Sequence, residues 1–292
     1  MQPINISDYK VSAPFQINGS TTYEDYGASK KELEKALEKT RENLGELQDT
    51  LYAHGKYAVL VCLQGMDTAG KDSLIREVFK DFNARGVVVH SFKVPTELER
   101  KHDYLWRHYI ALPARGKFGV FNRTHYENVL VTRVHPEYIL GEGLPDVHSV
   151  DDINDEFWDK RFEQINNFEK NLAQNGTIIF KFFLNLSKDE QKNRLIRRLD
   201  KEEKNWKFSP GDLKERKLWD EYMACYEDLL NRTSHDHAPW YAIPADSKPA
   251  ARLLVATILL EELRKYSDIK EPELDPEIKA SIAEFKKQLE KE

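Results

Sequence analysis

Apolar positions follow two alternating rhythms along the chain. In residues 28–54 (ASKKELEKALEKTRENLGELQDTLYAH), Leu33, Leu37, Leu44, Leu47 and Leu51 recur at helical spacing among charges, which predicts an amphipathic helix packed on the domain or on a partner chain. Tyr57 to Leu63 is then a continuous apolar run, the pattern of a strand buried on both faces of a parallel sheet. A glycine loop follows at once. Asp72–Asn83 returns to helical spacing with Gly86 as its stop, and GVVVHSF (86–92) predicts a second buried strand. Residues 94–113 mix charges with aromatics and predict a helix and a loop, and KFGVF (117–121) is a third short strand. A helical segment at 151–174 precedes TIIFKFFLNL (177–186), a fourth strand. Ser187 with Glu190 predicts a capping box opening another helix. WYAIPA (240–245) is a fifth strand, KPAARLLVATILLEELRKY a closing amphipathic helix, and the charged tail after it has a last helix at 275–291.

Strands alternating with helices define an α/β fold with a parallel sheet. The expected organisation is a polar leader (1–27), one domain (28–266) carrying a helical insertion at about 188–236, and a charged helical tail (267–292). With 40% hydrophobic and 32% charged residues, the 292-residue chain reads as a globular protein with a highly charged surface. Its net charge of −6 argues against a protein that coats nucleic acid. Two cysteines, Cys62 and Cys225, lie in no ligand pattern, and Cys62 sits within an apolar run as a buried small hydrophobe. The first residues have neither a basic start nor an apolar segment of signal length, and no later run approaches a membrane span. A cytoplasmic protein without membrane contact is the expectation.

The chemistry begins at CLQGMDTAGKDSLIREVF (62–79). Gly65, four residues, Gly70 and Lys71 form a phosphate-binding loop between a buried strand and a helix, the context such a motif requires. Its backbone N–H groups, from Gly65, Met66, Thr68, Ala69, Gly70 and Ser73, can turn toward phosphate oxygens, the helix adds its positive end, and Lys71 adds a full charge. A plain glycine turn into a capped helix would explain Gly70 and Asp72, but not Gly65 and Lys71 together. Asp72 stands where the common loop has a hydroxyl, and Asp67 is a second carboxylate. Two carboxylates beside phosphates repel them unless Mg²⁺ stands between, so the loop implies a metal-rich site and a strongly anionic substrate. The third strand ends in Asn122 and Arg123; an amide at 122 offers a neutral oxygen to a metal, or is simply a turn residue.

Taken in order, GMDTAGKDS, FKVPTELE with HDYLWR, FNRTHYENVLVTRV, NWKFS and DHAPWYAIPADSKPAAR resemble the polyphosphate kinases of the second family, over roughly residues 25 to 265. The resemblance implies a P-loop kinase fold like that of thymidylate kinase, a helical lid, and Mg²⁺-dependent phosphoryl transfer between inorganic polyphosphate and nucleotides. It carries Asp67, Lys71 and Asp72 onto the family's loop, with Asp67 on the metal, and Arg123 onto the arginine after the strand. At 122 the family has a metal-binding aspartate; Asn122 departs from it, which implies weakened metal binding and slowed turnover in an intact fold. The Tyr126-Glu127 pair resembles members that accept monophosphates, so the resemblance implies AMP, and ADP as well, as acceptors, with guanine nucleotides as a further candidate. It also suggests a homodimer or homotetramer.

KNRLIRRLDKEEKNWK (192–207) places Arg194, Arg197 and Arg198 on one helical face. This is either a solvated charged face or a cationic lid that closes over the phosphate chain. Lys93 and Arg133 are further candidates for phosphate or nucleotide contact. His90, His102, His108, His125, His135, His235 and His237 form no ligand motif and read as structural, as do Trp219 and Trp240; Trp206 could touch substrate. The competing functions are an ATP-dependent small-molecule kinase and a non-catalytic binder of polyphosphate or nucleotide.

Overall fold

The organising element is β1 (Ala58–Gln64), every residue of which is buried. Its side chains alternate between two packed layers, as a strand of period two requires. Val59, Val61 and Leu63 join one hydrophobic cluster, while Leu60 and Cys62 join another with Phe168 and Leu172. The computed structural model describes residues 1–200, 202–205 and 209–292. In it β1 is the middle strand of a five-stranded sheet, ordered β2 (Val87–Ser91), β3 (Phe118–Asn122), β1, β4 (Thr177–Asn185) and β5 (Trp240–Pro244). All pairings are parallel. The architecture is α/β, with helices on both faces of the sheet.

One face is covered by α1 (Lys30–His54), α2 (Lys71–Val78) and a long helix, Lys248–Leu263, whose apolar residues share one cluster with Val59, Val61 and Phe180. The other carries α3 (Asp155–Gln174). Between β4 and β5 run α4 (Lys188–Leu199), a turn of helix at Glu202–Asn205, α5 (Pro210–Lys217) and α6 (Trp219–Thr233). The helix Lys248–Leu263 is α7, and α8 (Pro276–Leu289) ends the chain. α1 opens with a complete capping box on Ser29 and Glu32, and ends on Gly55 in the left-handed conformation. Residues 1–27 lie against the domain: the backbone N–H of Phe15 bonds to Asn231 and that of Ile17 to Glu227, and Ile6, Val11 and Ile17 are buried.

Five expectations are corrected. The strand of GVVVHSF forms but is not buried, because β2 is the sheet edge; Val88 and Val89 are each 46% exposed. The helix after the loop stops at Val78 rather than Asn83, and a separate 3-10 turn, Ala84–Gly86, leads into β2. α7 is not amphipathic: residues all around it are buried between α1 and the sheet. The capping box at Ser187 is half formed, since Ser187 accepts from the Glu190 N–H while its own N–H goes to Asp246 and the Glu190 carboxylate goes to Arg194 and Arg197. Segment 94–113 holds only two single turns, Glu97–Arg100 and Trp106–Tyr109. No helix among the described residues is long and apolar enough to cross a membrane.

Candidate active site

The parallel register lines up the carboxyl ends of three strands. Leu63 pairs with Asn122 and Asn122 with Ser91, so the glycine loop leaves β1 beside the end of β3. The loop needs its glycines. Gly65 has φ 150° and a Cβ there would lie 3.0 Å from both the Cβ and the carbonyl of Leu184; Gly70 has φ 108°. Thr68 also adopts a left-handed backbone, at φ 67°, and such strain persists where the surroundings impose it.

The surroundings here are two side chains of α4. Gln191 Nε2 donates to the Asp67 carbonyl at 3.1 Å, and Arg194 Nη1 donates to the carbonyls of Thr68 and Ala69 at 3.0 and 2.9 Å. The second nitrogen of Arg194 holds the carbonyls of Ala245 and Asp246, at 2.6 and 3.0 Å. Three successive loop carbonyls are thereby held by α4. Gly70 at the N-cap supplies no side-chain bond, which leaves the first N–H groups of α2 open to an anion. Arg194 is buried, so the phosphate contact expected of it is replaced in this structure by support of the loop backbone. Arg197 lies outside, paired with Glu190, and Arg198 pairs with Asp212 of α5.

Lys71 bends back over the loop, its Nζ 2.5 Å from the Gly65 carbonyl. Burial, with Arg123 beside it, lowers the Lys71 ammonium below its ordinary value, and Asp67, Glu127 and Asp72 oppose that fall. Arg123, itself at φ 58°, bridges two carboxylates: Asp67 at 2.9 Å and Glu127 at 3.8 Å. Together Gly65, Met66, Asp67, Lys71, Arg123 and Glu127 line a cleft of about 130 Å³ whose far wall is Tyr222 and Tyr226 of α6 with His135 and Glu215. A larger cavity of about 400 Å³ lies at the other end of the sheet, near the start of β4. In open α/β sheets ligands bind beyond the carboxyl ends of the strands, so the smaller, charged cleft is the candidate site.

Asn122 and Asp72 meet directly. The Asn122 amide donates to Asp72 Oδ1 at 2.6 Å and to Ser91 Oγ at 3.3 Å, while its own Oδ1 is buried with no hydrogen-bond partner. Among the described residues no three His, Cys, Asp or Glu side chains converge as a ready-made cage. The donor set nonetheless fits Mg²⁺, which is held by one or two carboxylates together with substrate phosphates and water. Asp67 and Asp72 would be those carboxylates, and the unpartnered Asn122 oxygen would be a third donor.

Not every expected residue comes to the cleft. Lys93 is exposed, and its carbonyl accepts from Arg107 at 2.7 Å. Arg133 pairs with Asp228 of α6 at 2.6 Å. Ser73 turns its hydroxyl to the Gly70 carbonyl. Tyr126 is fully buried beneath the turn His125–Val129 and cannot meet a nucleotide, whereas its neighbour Glu127 faces the cleft. Trp206 lies outside the described residues, and Trp219 and Trp240 are buried.

Several participants escaped the sequence reading. Gln191 had a detectable signal, three residues before Arg194 on one helical face. Tyr222 and Glu215 had none, and His135, read as structural, lines the cleft as well, because the elements carrying them meet only in three dimensions. Lys248, at the first turn of α7, lies on the outer side of the loop near Gly70; burial and the neighbouring arginines 194, 252 and 197 lower its pKa to about 8.

Loop, strand order and cleft define a phosphate-loop kinase. Residues 27–272 match the model of the family Polyphosphate kinase 2, and the chain belongs to that family. It is 44% identical over 269 residues to an ADP-polyphosphate phosphotransferase of Rhodopseudomonas palustris, covering 92% of each chain. It is 47% identical over 229 residues to an AMP/ADP-polyphosphate phosphotransferase of Meiothermus ruber, covering 78% of this chain and 80% of that one. The crystal structure of polyphosphate kinase 2 from Arthrobacter aurescens TC1 matches the fold with a TM-score of 0.87 at 37% identity, over 96% of this chain and 95% of that chain.

Proposed function

We propose that this chain transfers phosphoryl groups between inorganic polyphosphate and adenine nucleotides, with AMP and ADP as acceptors and the reaction reversible because the anhydride bonds made and broken are alike. The observation that carries the reading is the single cleft in which the loop and Lys71 stand against Arg123 and Glu127. The family membership and the names of the two relatives support it.

Phosphoryl transfer is positioning plus charge stabilisation. The free N–H groups of the loop and the first turn of α2 hold the phosphate nearest the reaction, and Lys71 swings from the Gly65 carbonyl onto it. Arg123, flanked by Asp67 and Glu127, is placed to follow the moving phosphoryl group. Asp67, Asp72 and the Asn122 oxygen would hold Mg²⁺, which would supply charge neutralisation for the phosphates. The last turn of α4, with Arg197 and Arg198, and α5 act as a lid, hinged beyond the Gln191 and Arg194 that stay on the loop, and its closure excludes water. Glu127, on the acceptor side, selects for the monophosphate.

Asn122 is the weak point of the machine. Its N–H meets Asp72 where the family's aspartate would bring a second negative charge, so Asp72 is satisfied without a cation. Turnover is therefore slow and rises in Asn122→Asp. The test is a paired assay of the two forms with polyphosphate as sole donor and AMP, ADP and GDP as acceptors. Product without ATP establishes the reaction. Tight polyphosphate binding with no product from either form establishes a binder instead.

A further inference from the structure

Behind the cleft lies a fully buried set of charges that the chemistry above does not use. Lys181, in the middle of β4, and Glu169, on α3, are both 0% exposed. All three ammonium hydrogens of Lys181 have acceptors: Glu169 Oε2 at 2.6 Å, the Tyr126 hydroxyl at 2.8 Å and the Thr233 carbonyl at 2.7 Å. The other oxygen of Glu169 accepts from the Tyr126 hydroxyl at 2.6 Å and from His125 Nε2 at 3.1 Å. The Trp240 indole of β5 donates to the Thr233 hydroxyl at 2.8 Å. The Lys181 cation thus sits on the carbonyl end of α6, where a positive charge is favoured by the helix dipole.

The two arms joined here are the two walls of the cleft. Tyr126 and His125 form the inner side of the turn His125–Val129, whose outer side presents Glu127. Thr233 ends α6, which presents Tyr222 and Tyr226 to the same space. Apolar residues of equal volume would hold these elements together at least as firmly, because burying an ion pair costs desolvation on both sides. What directional bonds add is a fixed distance and angle.

We infer that Lys181 and Glu169 are positioning residues for the nucleotide acceptor, setting the turn of Glu127 against α6, while the phosphate loop is held independently by Gln191 and Arg194. This rests on the acceptor reading of Glu127. The test compares the unmodified chain with Tyr126→Phe, which removes one hydroxyl, and with the double variant Glu169→Gln/Lys181→Met, which removes both charges. Binding of AMP and of a polyphosphate of fixed length is measured separately by calorimetry, after thermal unfolding has identified the variants that fold. Expected is a loss of AMP affinity of about tenfold or more, since small misplacements propagate into recognition, with polyphosphate affinity unchanged. Should the double variant not fold, Tyr126→Phe decides. Retained AMP affinity, or equal losses for AMP and polyphosphate, overturns the inference. Absence of AMP binding in the unmodified chain overturns the acceptor reading itself, and the inference with it.

Discussion

The phosphate cleft and the junction behind it are both clusters of opposite charge, yet they are built in opposite ways. At Lys181 and Glu169 every ammonium hydrogen and both carboxylate oxygens are hydrogen-bonded, and neither side chain is exposed. Around the cleft, in the loop and at the end of β3, Thr68 Oγ1 and Asn122 Oδ1 are buried without partners, the start of α2 is uncapped by a side chain, and Arg123 and Asp67 are part-exposed, at 45% and 31% of their side chains. Buried polar groups are normally satisfied. His125 Nδ1 beside the junction is left unpartnered, but the charges themselves are satisfied and finished as structure, whereas those of the cleft are finished only by a ligand.

The sharpest way to break this contrast is to remove one partner from each side. Glu169→Ala strands a buried ammonium and is expected to reduce folding stability by about 3–5 kcal/mol, read from denaturant unfolding. Lys71→Met is expected to leave unfolding nearly unchanged and to lower the transfer rate by about 10²–10³-fold, as loss of one preorganised charge contact does. If instead Lys71→Met unfolds the protein and Glu169→Ala does not, the assignment of structure to one cluster and ligand to the other is wrong.

Arg194→Ala falls between the two clusters. It frees several loop and β5-end carbonyls, at a cost of about 1–3 kcal/mol, and weakens polyphosphate binding by loosening the loop. Arg197→Ala, at an exposed ion pair with Glu190, is expected to change stability by less than about 0.5 kcal/mol; equal unfolding midpoints for the two variants would show that Arg194 does not support the loop.

Acidity offers a finer probe of the junction. Burial alone would raise the Glu169 carboxyl, but the Lys181 ammonium and the His125 hydrogen bond outweigh it and hold it at about 2, below the ordinary 4.5. A depressed carboxyl stabilises the fold above its unfolded value, and that contribution is lost as pH falls from about 4.5 toward 2. Stability measured across this range should decline in the parent chain, with a shallower slope in Glu169→Gln.

A modest effect, read against metal, is expected at Asn122. In Asn122→Asp two carboxylates replace a hydrogen bond of 2.6 Å, so without metal the melting temperature falls by a few degrees, the scale of about 1 kcal/mol. Added Mg²⁺ restores it in Asn122→Asp and shifts the parent less. Equal responses of the two forms would remove Asn122 from the proposed metal set.

Most strands and the loop were legible because their signals are local. A buried parallel strand is an unbroken apolar run, and Gly65, Gly70 and Lys71 are fixed by spacing alone. Arg123 and Glu127 were singled out by resemblance to the family, and both reach the cleft. Arg194 was singled out for its charge and took another role, because a guanidinium on that helical face meets backbone carbonyls before it meets solvent. Val88 and Val89 read as core because an apolar run carries no record of whether its strand lies in the middle of a sheet or at its edge.

The sequence by itself determined the local matter: the alternation of strands and helices, the glycine loop with its lysine, and the presence of Asp72 and Asn122. Tertiary structure alone decided that Asn122 would face Asp72, that Tyr126 would turn inward while Glu127 turned outward, and that the lone lysine within TIIFKFFLNL would find its partner on α3. Periodicity along a chain specifies which side of an element is apolar. Which charges meet depends on strand order and register, and those are properties of the assembled sheet.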